Sequence, residues 1–443
     1  MASGDAADVD LAVAAARRAF ESAEWSAITP YQRSTMLLQI ADVLEANAEE
    51  LATLETLEMG GAFGMTRWMV DHSVEVFRHY AGWPTKIYGQ TAPATPGQFS
   101  YVLRQPLGVV AAITAWNGPL LQLSWKVAPA LATGNTVVAK PSEQTSLTAL
   151  RFADLLARTD LPRGVVNIIT GTGPEVGESL IRHPDVDKLS FTGSTAVGKH
   201  LLEASSSNLK RVTLELGGKS PTIVFADADL EAAAKGSATA FLAGSGQSCV
   251  AGSRIFVETS AREEFSRLLA AEMATYTTGD PFDPSTLMGP LASRKHFDRV
   301  VSYFDVAREA GAVVTQGGRW EGEDGLFVKP TLVENVTNDM RVAQEEIFGP
   351  VAVLMPFEDI DEVVRLSNDT VYGLAASVWT KDLTRAHTMA ERLEAGSVWI
   401  NNPGVMSAGT LPFGGFKQSG IGREHGTDVI EAYTETKTVI VTL

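Results

Sequence analysis

The chain holds one cysteine in 443 residues, Cys249, within Gly246-Gln247-Ser248-Cys249-Val250-Ala251-Gly252-Ser253-Arg254. A thiolate is the strongest nucleophile a side chain supplies, so a single thiol raises the question of what it attacks. A free cysteine is also often only a small buried hydrophobe. The Gly and Ser residues around this one favour chemistry: they let backbone approach a ligand and give the sulfur no apolar run to pack into. Upstream, Glu215 stands inside the apolar run Leu214-Glu215-Leu216-Gly217-Gly218-Lys219. An acid there is either a satisfied ion-pair partner or a carboxylate tuned as a base. A third candidate is Asn117 in Ile113-Thr114-Ala115-Trp116-Asn117-Gly118-Pro119. At the end of a strand its amide can donate to a developing oxyanion, although on the residues alone Asn before Gly reads first as a turn former.

These groups need strands and helix ends to hold them. Leu107 to Thr114, Thr136 to Ala139, Val165 to Thr170, Leu189 to Thr192 and Val212 to Leu216 are short apolar runs separated by helix-length segments. Fully apolar strands alternating with helices predict an α/β fold with a parallel sheet covered on both faces, and such sheets bind ligands at the carboxyl ends of their strands. After Pro221 a second α/β series begins, with strand candidates Ile223 to Phe225, Arg254 to Val257, Val313-Val314, Val351 to Met355 and Ser397 to Ile400. The N-terminal part is helical: Asp10 to Phe20 is Ala-rich, and Thr29-Pro30-Tyr31-Gln32 carries the signs of a capped helix start. Met36, Leu37, Ile40, Ala41 and Leu44 then form one apolar face. Residues 84–98 are rich in Pro and Gly and read as an excursion, followed by a strand at Phe99 to Leu103. Thr438 to Val441 is an apolar terminal strand, which invites pairing with another chain.

Composition narrows the function. Hydrophobic residues at 45% and charged residues at 20% describe a globular chain with ample core. A net charge of −17 argues against nucleic acid and anionic membrane as partners. One cysteine permits no intrachain disulfide. Neither a basic-then-apolar leader nor an apolar run of about eighteen residues is present, so the expected location is cytoplasmic. There is no C-x-x-C or H-E-x-x-H, and no metal site is expected.

Leu214-Glu215-Leu216-Gly217-Gly218-Lys219-Ser220 followed by Gly246-Gln247-Ser248-Cys249 resembles the aldehyde dehydrogenase superfamily, and the likeness runs from about Asp8 to the C-terminus. The resemblance implies a Rossmann-type cofactor domain of residues 1–83 and 107–217. It adds an α/β catalytic domain of 218–418 and a small β oligomerisation element of 84–106 with 430–443. The implied reaction oxidises an aldehyde to a carboxylic acid with NAD. Cys249 attacks the carbonyl, Asn117 and the Cys249 N–H hold the oxyanion, and Glu215 activates the water that hydrolyses the thioester. No histidine need pair with the cysteine; the helix end, the bound cofactor, Lys126 or Glu215 would activate it. A homodimer or homotetramer is implied.

The resemblance assigns cofactor contacts to Ile113, Thr114, Ala115 and Trp116, to Lys140, Ser142 and Glu143, and to Gly173. It also assigns Phe191, Thr192, Gly193, Ser194 and Val197, then Leu216, Glu346 and Phe348. Lys140 and Glu143 would meet the adenosine ribose, and Glu143 would repel a 2′-phosphate, favouring NAD over NADP. Thr192, Gly193 and Ser194 sit where a helix N-terminus can receive the pyrophosphate, although Ser194 also reads as an ordinary N-cap. Glu346 and Phe348, in Glu345-Glu346-Ile347-Phe348-Gly349-Pro350, would meet the nicotinamide ribose. Gly171-Thr172-Gly173-Pro174-Glu175-Val176-Gly177 is one residue too long for the usual dinucleotide fingerprint. Asn401 and the run Pro412 to Gly420 match late family motifs near the site.

Gly118, Leu121, Gln122, Trp125, Ser248, Val250 and the loop Asn402 to Thr410 would line the substrate approach. They are mostly neutral or apolar and suit a hydrophobic or aromatic aldehyde. The chain departs from the family pattern at Ala115, where proline is usual, at Gly118, where a bulky residue often stands, and at Gly244, where many relatives have Asn. Gly118 would widen the tunnel. Three other readings remain: a member that passes the acyl group to coenzyme A, for which Glu215 is a poor sign; a member acting on phosphorylated substrates, for which no basic cluster stands near the site; and a non-enzymatic structural or binding protein.

Overall fold

Thr29 opens the helix Pro30–Ala46 with a reciprocal cap: its hydroxyl accepts from the Gln32 N–H at 3.2 Å, and Gln32 Oε1 accepts from the Thr29 N–H at 2.8 Å. Leu37, Ile40, Ala41 and Leu44 on its apolar face are buried, and Met36 is partly covered. The structure, a computed structural model, describes residues 3–93, 95–319, 325–404 and 408–443. Among them no helix is long and apolar enough to cross a membrane.

In chain order the strands are β1 (Gln90–Thr91), β2 (Gln98–Pro106), β3 (Val109–Ile113), β4 (Thr136–Lys140), β5 (Val166–Ile168), β6 (Lys188–Thr192) and β7 (Arg211–Glu215). They continue as β8 (Pro221–Val224), β9 (Arg254–Glu258), β10 (Val313–Arg319), β11 (Val328–Glu334), β12 (Val351–Phe357), β13 (Ala375–Trp379) and β14 (Ser397–Ile400). The chain ends with β15 (Gly420–Ile421) and β16 (Thr434–Thr442).

The first sheet has the order β15-β7-β6-β3-β4-β5, parallel except where β15 joins β7. Its alternating side chains serve two cores. Val109, Ala111 and Val138 pack with Val9 and Val13 of the helix Ala6–Glu21, whereas Val110, Ala112, Val137 and Ala139 pack with Leu131 and Phe152 on the other face. That is why these strands are apolar throughout: period-two alternation sends every residue into one core or the other. Each such Val or Leu contributes roughly 1.5–3 kcal/mol by leaving water. The order reverses at β3, whose neighbours are β4 and β6, and a reversal of this kind opens a crevice at the strands' carboxyl ends.

The second sheet has the order β10-β11-β12-β9-β8-β13-β14, parallel except for β10 against β11. The sequence left two of its strands unread. In β11, Pro330 looks like a breaker, but it faces a register shift in β10 at Gly317, so its missing N–H is not needed there. In β13, Ala375-Ala376-Ser377-Val378-Trp379 is poor in β-branched residues, yet every position is buried. The third sheet, β1-β2-β16, pairs the residue 84–106 excursion with the terminal strand in a nine-residue antiparallel register. The terminal strand is longer than Thr438 to Val441 and forms an edge, with Ile440 exposed at 62%.

Candidate active site

Three loops converge at the crevice beside β3. The first follows β3 and supplies Ala115, Trp116 and Asn117; the second follows β6 and supplies Thr192, Gly193 and Ser194; the third carries Cys249. Leu216 and Gly217 after β7, and Glu346 and Phe348, complete the cleft. Of the assigned cofactor contacts, eight line one cavity: Ala115, Trp116, Thr192, Gly193, Ser194, Leu216, Glu346 and Phe348; Phe191 lies directly beneath Gly193.

The nucleophile loop is built by three successive left-handed residues, Gly244 (φ 61°), Ser245 (φ 59°) and Gly246 (φ 71°). Gly246 has no alternative, because a Cβ there would stand 2.2 Å from the Gly349 carbonyl oxygen. Ser245 tolerates the conformation because its hydroxyl donates to the Gly289 carbonyl at 2.8 Å. Burial pushes the Cys249 thiol up to about 12, and the carboxylates of Glu346 and Glu215 push the same way; its own N–H and that of Val250 oppose them. A thiol so raised is mostly protonated at neutral pH.

Asn117 is anchored on both sides. Its Nδ2 donates to the Gln247 carbonyl at 3.0 Å, and its Oδ1 accepts from Gln122 Nε2 at 2.8 Å. Gln122, expected along the substrate approach, also holds this amide. Both ends of its amide are spent on Ala115 and Asn117 and it is buried, so it backs Asn117.

Glu215 ends β7 behind the cleft wall, 3% exposed, and neither carboxyl oxygen has a hydrogen-bond partner among the described residues. Burial and then Glu424 hold its pKa well above the usual carboxylate range, against Lys126 and Arg423. Lys126 is itself buried, donating to Thr192 Oγ1 at 2.8 Å and paired with Glu424. A carboxyl of raised pKa without fixed partners is suited to exchange a proton with a water, unlike a satisfied ion pair.

Glu346 is largely buried. Its Oε1 accepts from the Gly218 N–H at 2.9 Å, and burial raises its pKa despite that N–H, Arg299 and Lys219. Phe348 sits at φ 65°. His296 Nε2 bonds its carbonyl at 2.7 Å, and the rings of Trp116, His296 and Phe348 pack with centroids 5.0 to 5.9 Å apart. His296 and Arg299 also line the cleft and were missed in the sequence. They lie in the helix Arg294–Glu309, whose amphipathic pattern explains itself without a site. Burial lowers His296 to about 4, so its imidazole is neutral.

A second group lies at the ends of β3 and β4. The Thr114 N–H donates to the Lys140 carbonyl at 3.2 Å, and Ile113 pairs with Lys140 and Phe191 in register. Lys140 Nζ stands 3.7 Å from the exposed carboxylate of Glu143, and Ser142 lies between them in sequence. Gly173 begins a five-residue turn whose last residue, Gly177, faces the Lys140 stem. Val197 lies in the first turn of the helix Thr195–Ser205, half-exposed, and its N–H donates to the Ser194 cap at 3.4 Å.

This arrangement fits a dinucleotide. Ser194 caps only one N–H of the helix Thr195–Ser205, leaving its positive end at the cleft. Gly193 carries no Cβ, which would stand 2.4 Å from the Phe191 ring. The pair Lys140–Glu143 offers a donor and an acceptor to a diol.

The remaining expected substrate residues divide. Ser248 and Val250 flank Cys249 and are half-buried; Gly118 is buried, and an added Cβ there would meet nothing closer than 3.7 Å. Leu121 and Trp125 are nearly covered, and Trp125 packs between Phe413 and His425 with centroids 5.6 and 4.7 Å away. Asn402 accepts from Ser377 through its carbonyl at 3.0 Å. Part of the loop to Thr410, residues 405–407, lies outside the described residues. Asn401, at φ 51°, is spent on both backbone groups of Thr380.

Comparison with known proteins agrees with this geometry. The model of the aldehyde dehydrogenase family matches residues 1–439. Aldehyde dehydrogenase 1A1 of Gallus gallus is 46% identical over 445 aligned residues, covering 100% of this chain and 87% of that protein. An aldehyde dehydrogenase of Emericella nidulans is 46% identical, covering 98% and 87%. The solved NAD+ complex of the aldehyde dehydrogenase from Bacillus cereus superposes with a TM-score of 0.98 at 44% identity, over 100% of this chain and 90% of that one. A match of this extent, in sequence and in fold, means that the chain belongs to the aldehyde dehydrogenase family.

Proposed function

We propose that this protein oxidises an aldehyde to the carboxylic acid with NAD+ and water, releasing NADH and a proton, by a covalent route through Cys249. The observation that carries the reading is the shared cleft of Cys249 and Asn117, with the unpartnered carboxyl of Glu215 behind it. The Cys249 thiolate attacks the carbonyl carbon. Asn117 Nδ2 and the Cys249 N–H receive the oxyanion, the arrangement by which fixed dipoles lower such barriers. Bound NAD+ supplies the hydride acceptor, and the B. cereus relative is solved with NAD+ in place. The acyl group is then a thioester on Cys249, and Glu215 takes a proton from the water that hydrolyses it.

The cofactor residues take these roles in the same reading. Lys140, Ser142 and Glu143 bind the adenosine ribose, with Ile113, Thr114 and Gly173 shaping that wall and Val197 at the rim. Thr192, Gly193 and Ser194 hold the pyrophosphate. Glu346 and Phe348 hold the nicotinamide ribose, and Arg299 and His296 join them. The aldehyde is uncharged and apolar, supported by the apolar cluster that includes Leu121 and Trp125, against which Cys249 and Val250 pack, and by the absence of a side chain at Gly118. The protein works as a homodimer or homotetramer built on the third sheet, supported by its exposed edge strand β16. The units are residues 1–83 with 107–217, residues 218–418, and residues 84–106 with 430–443.

The test is NADH formation with a panel of aldehydes, with and without coenzyme A. Turnover that needs no coenzyme A is expected. Turnover only with coenzyme A would replace hydrolysis by acyl transfer, and none with any aldehyde would overturn the reading.

A further inference from the structure

Gln122 lies five residues after Asn117, buried in the first turns of the helix Pro119–Ala132. Its Oε1 accepts from the Ala115 N–H at 2.8 Å, and its Nε2 donates to Asn117 Oδ1 at 2.8 Å. Asn117 Nδ2 donates to the Gln247 carbonyl at 3.0 Å, two residues before Cys249. Gln247 is fixed in turn: its Nε2 donates to the Gly244 carbonyl at 3.1 Å, and its Oε1 accepts from the Ala292 N–H at 2.9 Å.

The polarity of this relay is dictated at both ends. The oxygen and nitrogen of an asparagine amide have nearly the same shape, so packing alone does not decide which one faces a given side. Here a backbone N–H begins the chain and can only donate, so Gln122 must turn its oxygen to Ala115 and its nitrogen to Asn117. A backbone carbonyl ends the chain and can only accept, so Asn117 must turn Nδ2 to Gln247. One Nδ2 hydrogen then remains uncommitted. Steric walls do little of this work: the neighbour is Gly118, which has no side chain to press on the amide. Donation into Oδ1 also polarises the amide and strengthens its N–H as a donor.

We propose that Gln122 is a positioning residue for aldehyde oxidation, holding the Asn117 amide with its N–H, not its oxygen, available to the oxyanion. This rests on the functional reading above. Gln122 touches no substrate; its effect passes through Asn117. Gln122→Met retains bulk and removes both hydrogen bonds. The single-turnover rate of NADH formation should fall roughly 3- to 10-fold, the worth of one buried hydrogen bond. KM for NAD+ and the melting temperature should stay near the parent's.

The deciding measurement is the same substitution in the Asn117→Ala background, since residues acting through one another are non-additive. There Gln122→Met should change the rate by less than about twofold. An equal loss in both backgrounds would overturn the proposal, because Gln122 would then act without Asn117. Gln122→Leu serves the same comparison if the methionine variant does not accumulate as folded protein. Parent turnover and the loss in Asn117→Ala alone report on the functional reading, whereas the difference between backgrounds reports on Gln122.

Discussion

Gly218 lies directly against the carbonyl of Cys249: a Cβ built on it would stand 2.3 Å from that oxygen. The segment that carries Glu215 therefore passes the nucleophile loop at backbone distance, and no other residue type fits the crossing. The same segment donates the Gly218 N–H to Glu346, so one stretch of four residues touches the candidate base, the nucleophile and a candidate cofactor residue. Gly218→Ala must push the nucleophile loop away. Overpacking of this kind costs about 1–3 kcal/mol, so a lowered melting temperature is expected together with a loss of turnover larger than stability explains. Parent-level turnover in the folded variant would show that the contact is not needed.

The resting thiol should be slow to alkylate. With its pKa pushed up to about 12, Cys249 in the cofactor-free protein is almost wholly protonated at pH 7.5. Its rate with iodoacetamide should keep rising through pH 10. A plateau near pH 8–9, the ordinary thiol range, would mean that the pocket does not suppress ionisation.

The candidate residues Cys249, Glu215 and Asn117 were legible in the sequence, and the amide relay was not. Cys249, Glu215 and Asn117 stand in odd local company: a lone thiol among glycines, an acid in an apolar strand, an amide ending a strand. Such misfits signal a site because core packing does not explain them. Gln122 gives no such signal, since a glutamine in a helix is ordinary, and only the turn at Ala115 and the helix direction bring its two ends to their partners. His296 and Arg299 hid for the same reason. In the fold, the runs of Val and Ile were readable because both faces are buried; β11 was hidden by Pro330, and β13 by its alanines.

Glu55 makes stability depend on pH. It is fully buried, accepts from the Leu120 N–H at 2.8 Å, and burial raises its pKa to about 8. The folded state therefore keeps a proton that the unfolded chain releases near the ordinary carboxylate value. Stability from this group is full below that value and is lost as pH rises towards 8, with a slope of at most about 1.4 kcal/mol per pH unit. Glu55→Gln, which keeps an acceptor for Leu120, should flatten the fall in melting temperature between pH 5 and 8. An unchanged slope would assign the pH dependence to another group.

Glu143 should set cofactor choice. Its exposed carboxylate, 3.7 Å from Lys140, would face the ribose hydroxyls, and a 2′-phosphate there would meet like charge. The ratio of kcat/KM for NAD+ over NADP+ should favour NAD+ and shrink in Glu143→Ser. Equal use of both cofactors by the parent would remove this role.

Glu215 separates hydrolysis from acyl transfer. Its pKa is raised by burial first and by Glu424 second, so it holds its proton to higher pH than an ordinary carboxyl and becomes a base only once that proton is lost. Steady-state turnover should rise with pH accordingly. If Glu215 acts only on the deacylating water, Glu215→Gln should leave attack and hydride transfer largely intact. Mixing that variant with NAD+ and aldehyde should then release about one NADH per competent site quickly, after which turnover should slow by roughly 10²–10⁴, the usual worth of a positioned base. The acyl group should accumulate as added mass on Cys249. Should Glu215 also take the thiol proton, the burst itself will slow and will recover at high pH, where the thiolate forms unaided. Turnover at the parent rate in Glu215→Gln, with no acyl adduct, would leave Glu215 a buried carboxyl without a catalytic part and would remove the main support for hydrolysis.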